Sequence, residues 1–182
     1  MKRLDQREHG QGPPSPPLSD LAEMVGCFHV GQHFFHLDDD LKQRSLAKIW
    51  SIYPRAIALH EGPGRPVRVE IPFRDTHLPG YLRLRPEPHR PVVIQINGLD
   101  NLKEIEQDAI GRMFHEAGMN TIAFDGPGQG EMRARMPMIP DYHTAVSAVL
   151  DWLDREHRGH LDLSRLDEVP YTVDWVRRHL AA

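Results

Sequence analysis

The rhythm of apolar and polar positions changes twice along this 182-residue chain. Residues 1–17 are charged and proline-rich, ending QGPPSPP, and offer too little apolar surface to offset the entropy of ordering, so a disordered tail is expected. Ser19-Asp20 then reads as the cap of a short helix reaching about Phe28. A longer helix should start at the acidic run Asp38-Asp39-Asp40. Leu41, Leu46, Ile49, Trp50 and Tyr53 recur there near a 3.6-residue period, and acids suit a helix N-terminus. EGPGRP at 61–66 is a loop signal, which makes 18–62 a helical lead-in and 63–182 a separate core.

From Val67 the period drops to two. VRVEIPF (67–73) and YLRLRP (81–86) alternate, with LPG (78–80) between them as the expected hairpin turn. Val92-Val-Ile-Gln-Ile96 is a near-continuous apolar run, the pattern of a strand covered on both faces. A helix follows, with Ile105, Ala109, Ile110, Met113, Phe114 and Ala117 as its predicted core stripe and Gly118 at its end. Next come a strand at 121–124, the glycine loop DGPGQGE, and a helix capped by Asp141 with the stripe Tyr142, Ala145, Val146, Val149 and Leu153. Strand–helix–strand–helix order predicts an α/β chain: an antiparallel hairpin leading into a short parallel sheet with flanking helices, preceded by a helical segment.

Composition narrows the function. The net charge of −4 gives no electrostatic bias toward nucleic acid or anionic membrane, so neither is expected as a partner. The N-terminus MKRLDQREHG has no apolar stretch behind its charges, and no run is long enough to cross a bilayer. The one cysteine, Cys27, excludes an internal disulfide and fits a reducing compartment, so a cytoplasmic location is expected; a lone cysteine of this kind is usually a buried hydrophobe.

The glycine loop raises the question of chemistry. A phosphate loop needs fanned N–H groups, a lysine and a hydroxyl, but Gly130 is followed by Glu131-Met132, Pro127 removes a donor, and a carboxylate repels phosphate. Two readings remain: a tight connection that needs glycine dihedrals, or a loop shaping a ligand pocket beyond the strand ends. PVVIQINGLDNLKE (91–104), the helix after it, and GMNTIAFDGPGQGE (118–131) together resemble the α/β-hydrolase family of 2,6-dihydroxypseudooxynicotine hydrolase and the fermentation–respiration switch-type esterases, over roughly 65–165. The resemblance implies a partial α/β-hydrolase fold. It also implies that Leu99, beside Gly98, supplies an oxyanion-hole amide, which stabilises charge developing on a substrate carbonyl. Asp100 is implied as a substrate-facing acid, one methylene shorter than the family's glutamate; the alternative is a helix N-cap for the segment from Asn101. Asp125, Gly126, Gly128 and Gly130 would shape the pocket floor, with Asp125 organising its own loop. The lead-in is implied to be part of a lid.

What such a hydrolase also needs is a serine on a strand-to-helix elbow, then an acid and a histidine. Here HRGHLDLSRLDEVPYTVDWVRRHLAA follows the last helix of the matched part, with no glycine-flanked serine. Thr172 instead caps an expected final helix carrying Val173, Val176 and Leu180, similar to the family's terminal helix. The pattern therefore reads as an internal deletion near 166–170 or a frameshift. Ser15, Ser19, Ser45, Ser51, Ser147 and Ser164 all lack the elbow context, and Ser164 with His160 has only i, i+4 spacing. His29 and His33 share a metal-compatible spacing, but Gly31 and the aromatics weaken a helix there and there is no HExxH. No metal and no cofactor is expected. Two functions stay open: a hydrolase-family scaffold for a small ester or C–C-cleavable ketone, lacking its triad and inactive alone, or a non-catalytic binding module or fragment of a split or decayed hydrolase gene. Missing strands would leave an open sheet edge, so a homo-oligomer is expected.

Overall fold

The computed structural model describes residues 16–35, 37–98 and 100–163. Two helices come first, α1 (Leu18–Phe34) and α2 (Asp39–Ala58). The hairpin β1 (Val67–Phe73) and β2 (Thr76–Arg83) follows, then β3 (Arg90–Ile96), α3 (Glu106–Glu116), β4 (Asn120–Phe124), a 3-10 turn (Gly130–Met132), α4 (His143–His157) and β5 (Leu161–Asp162). The sheet order is β1-β2-β4-β3-β5, with β1, β2 and β4 antiparallel neighbours and β3 parallel to both β4 and β5. An antiparallel hairpin running into a parallel sheet is the expected class.

Each face of the sheet has its own core. Side chains alternate across a strand, and β2 shows the division: Leu78 and Leu82 join Ile71, Ile122, Phe124 and Met132 under the α4 stripe Ala145, Val149 and Leu153. Tyr81, on the opposite face, packs with Leu21, Val25, Leu46, Ile49, Tyr53 and Leu102 beneath α1 and α2. The acidic start of α2 behaves as expected, since Asp38 caps the helix by accepting from the Leu41 amide at 3.0 Å.

Several expectations are corrected. The hairpin turns at Arg74-Asp75, with Arg74 at φ 52°, while Leu78, Pro79 and Gly80 lie inside β2. Pro79 is tolerated because it still contributes its carbonyl, which accepts from the Asp125 amide at 2.9 Å. Helix α1 runs on past Phe28 and through Gly31, with Pro17 rather than a side chain at its cap. Tertiary packing of Leu21 and Val25, with His29 and Gln32 also buried, outweighs the local weakness of Gly31. Cys27 is exposed on the outer side of that helix.

On α3 the buried face is Gln107, Gly111 and His115, whereas Ile110 and Met113 are 40% and 49% exposed. Ala109, Ile110, Met113 and Ala117 of the predicted stripe therefore face outward, with Ile105 and Phe114 half-buried, because the sheet beneath α3 presents polar Gln95, Thr121 and Arg83, which a polar helix face can satisfy. Strand β3 is half-buried over Val92–Ile94 rather than fully covered; among the described residues β5 pairs only with its start, at Arg90 and Pro91. At α4 the Asp141 side chain bonds to Arg74 at 2.8 Å instead of capping, and its carbonyl takes the Thr144 amide. The expected terminal helix from Thr172 lies outside the described residues.

Candidate functional site

Strands β3 and β4 end side by side, at Ile96 and Phe124, and the two loops beyond them, opening with Asn97 and Asp125, form the candidate site. Asp125 is completely buried and organises both loops. Its Oδ1 accepts from Asn97 Nδ2 at 2.6 Å, while Oδ2 accepts from the Glu131 amide at 3.0 Å and from Lys103 Nζ at 2.6 Å. Gln129 adds a second bridge by donating to the Asn97 carbonyl and accepting from the Gly126 amide (3.1 Å) and the Tyr142 hydroxyl (2.6 Å). Burial and the nearby Asp125 charge push the Tyr142 phenol up to about 12, which keeps it a donor. Gly128 and Gly130 have φ of 79° and 39°, and a Cβ at Gly130 would overlap the Asp125 carboxylate. The loop needs glycine on both counts.

Beneath the loops lies Lys103, whose side chain has no exposed surface. Its Nζ sits 2.6 Å from Glu104, 2.6 Å from Asp125 and 2.7 Å from Glu131, and 5.8 Å from the centre of the Tyr81 ring. Burial disfavours its charge, but these three carboxylates outweigh burial and hold its pKa above the ordinary lysine value. Burial also opposes ionisation of Glu131, yet hydrogen bonds from Arg68 (2.7 Å) and the charge of Lys103 bring it down to about 2. Glu104 goes the other way. Burial pushes it up to about 7 despite the pull of the Lys103 ammonium, 2.6 Å from its Oε1. The nearby charges of Asp125 and Glu131 add to the effect of burial, since all three carboxylates share the one Lys103 ammonium. Carboxylate oxygens of Glu104, Asp125 and Glu131 lie within 4.8 Å of one another, a spacing that suits a cation, and the Lys103 ammonium occupies that role.

The lead-in helices are tied to the segment after β3 by polar contacts. Lys42 reaches Asp100 at 3.4 Å, His29 Nε2 meets Glu106 at 2.6 Å, and Tyr53 donates to Asp108, which also pairs with Arg83. Between lead-in and loops lies a cavity with room for about one water, lined by Gln32, Lys42, Leu46, Asp100, Leu102, Gly130 and Arg133.

Of the sequence-predicted residues, the structure brings Asp125, Gly126, Gly128 and Gly130 together and leaves Asp100 partly exposed against Lys42. Asp100 is not the helix cap, since α3 begins only at Glu106. Leu99 lies outside the described residues, as do Ser15, His36 and Ser164. His29 and His33 do share a helical face, with rings 4.7 Å apart, but His29 is engaged by Glu106 and His33 by Gln32. His160 bonds the Arg85 carbonyl. Sequence reasoning missed Lys103 as the centre of the site; its adjacency to Glu104 in LKE was the available signal.

This topology and its two strand-end loops make a partial α/β-hydrolase fold, and the chain is similar to α/β hydrolases over that part. The chain is 35% identical over 119 residues to 2,6-dihydropseudooxynicotine hydrolase of Paenarthrobacter nicotinovorans, covering 64% of this chain and 31% of that protein. Against the alpha/beta hydrolase xenA of Xenoacremonium sinensis it is 32% identical over 151 residues, covering 76% and 35% respectively. Among solved structures, that of 2,6-dihydroxy-pseudo-oxynicotine hydrolase superposes with a TM-score of 0.61 at 29% identity, over 77% of this chain and 40% of that one. AbyA5 superposes with a TM-score of 0.62 at 20% identity, over 80% and 39%, and shares the fold. No family model matches. The chain spans about a third of the length of these two curated relatives, 31% and 35%. Among the described residues no helix is long and apolar enough to cross a membrane.

Proposed function

We propose that the chain is a carbonyl-binding scaffold of the ester- or C–C-hydrolysing kind, without a nucleophile elbow or triad and inactive by itself. The observation that carries this reading is the locked pair of loops at the carboxyl ends of β3 and β4, where open α/β sheets bind ligands. In this reading the amide of Leu99, beside Gly98, polarises the carbonyl of a small-molecule ligand, Asp100 faces it, and Asp125 with Gly126, Gly128 and Gly130 forms the floor. It calls for no cofactor. The lack of a nucleophile is supported by the described serines: Ser19, Ser45, Ser51 and Ser147 all lie within helices α1, α2 and α4. The span of about a third of the relatives' length favours a second reading, a binding module or one part of a split hydrolase.

Purified chain should hydrolyse p-nitrophenyl acyl esters no faster than buffer and take up no fluorophosphonate label, while an aryl ketone such as acetophenone should shift the amide resonances of Gly98 and Gly126. Turnover with a labelled serine would overturn the inactive reading. Unmoved amide resonances would overturn carbonyl binding.

A further inference from the structure

We propose that Lys103 is a positioning residue, a tethered cation that couples the carbonyl-facing loop after β3 to the glycine loop after β4 so that the two order as one unit. This deepens the carbonyl-binding reading, since it concerns the same two loops. Burying an ammonium and three carboxylates is expensive, and well-packed apolar side chains often stabilise a protein as well or better. Such a cluster fixes a geometry that apolar contacts would leave free. Besides its neighbour Glu104, Lys103 joins separate pieces of chain. Its backbone belongs to the segment after β3; Asp125 directly follows β4; Glu131 lies in the 3-10 turn. Beyond Glu131, Arg68 of β1 bonds both its carboxylate oxygens, at 2.7 and 3.0 Å, and also reaches Glu70. Tyr81 of β2 lies under the ammonium. The neutral bridges run in parallel, from Asn97 to Asp125 and from Gln129 to Asn97. Ionic and neutral links therefore span the same gap, and only the ionic ones pass through a single atom, Lys103 Nζ.

Because the three carboxylates stand at cation-holding distances, a small free cation should replace the ammonium once the side chain is cut back. Hydrogen exchange followed by mass spectrometry on the full chain tests this. In Lys103→Ala, peptides covering 97–104 and 125–132 should exchange more than about tenfold faster, by the same factor in both and by more than the 67–83 hairpin. Millimolar methylammonium or calcium should restore protection in both loops together. Glu131→Gln, a milder change in case Lys103→Ala does not fold, should loosen both loops to a lesser, equal degree. Loosening of one loop alone, uniform loosening that includes the hairpin, or failure of both cations to restore either loop would overturn the proposal. Acetophenone titration of the wild-type chain separates the two claims: concerted loops without ketone binding leave the coupling standing and remove the carbonyl reading, and ketone binding with independent loops does the reverse.

Discussion

Helices α3 and α4 read alike in the sequence, each with an apolar stripe near a 3.6-residue period, yet they use those stripes in opposite ways. Helix α4 buries Ala145, Val149 and Leu153 completely against Ile71, Ile122 and Phe124. Helix α3 turns Ile110 and Met113 outward and seats Gln107, Gly111 and His115 on the sheet. The difference lies in what each sheet face offers. Under α4 the strands present aliphatic and aromatic side chains, so the apolar stripe gains by burial. Under α3 they present Gln95, whose amide nitrogen donates to the Gln107 carbonyl and side chain at 3.0 and 3.1 Å, and Arg83, which pairs with Asp108. A buried polar group left without a partner costs more than an aliphatic side chain gains there. One face of this sheet is held by apolar packing, and the other combines the apolar core beneath α1 and α2 with matched polar groups beneath α3.

Single substitutions on the two faces sharpen that contrast. Lys103→Ala strands three carboxylates and should lower unfolding stability in urea by about 3–5 kcal/mol at neutral pH. Leu153→Ala, its counterpart on the apolar face, should cost about 2–5 kcal/mol and, unlike Lys103→Ala, show no recovery with added cation. If the two variants responded alike to cations, the contrast would fail.

The third expectation concerns pH. The folded-state pKa of Glu104 is raised from 4.5 to about 7, so the folded protein holds a proton that the unfolded chain releases, and stability should fall as pH climbs from about 4.5 to about 7 and then level off. Glu131 has the opposite sign: its pKa is lowered to about 2, so its contribution is present above 4.5 and fades as pH drops toward 2. Glu104→Gln should abolish the loss between 4.5 and 7 while leaving the acid limb in place, as read from urea midpoints across pH. A wild-type midpoint that stays flat from 4.5 to 7 would contradict this. The smallest effect is expected on the outer side of α3, where Ile110→Lys should change stability by within about 0.5 kcal/mol. A loss of several kcal/mol would show that this side is covered after all.

These cases also show how much could be read beforehand. The order of elements, the Asp38 cap and the α4 stripe were legible because each is encoded by neighbours within a turn or two. The facing of α3 was not, since periodicity finds a stripe without saying what the opposing strands carry. The hairpin turn was misplaced because Pro-Gly is a strong turn signal, whereas here Gly80 serves a close approach: a Cβ would stand 2.9 Å from the Ala123 carbonyl. Asp125 was legible as the organiser of its own loop. Lys103 was not, because two of its partners lie at 125 and 131, and its neighbour Glu104 was the one local signal.

The charge set around Lys103 has a consequence for how such a sequence changes over time. Arg68, Lys103, Asp125 and Glu131 are contacting members of a single balance, so a codon change at Lys103 or Asp125 leaves buried partners short of a counter-charge. Paired changes at these positions should therefore be tolerated more readily than single ones.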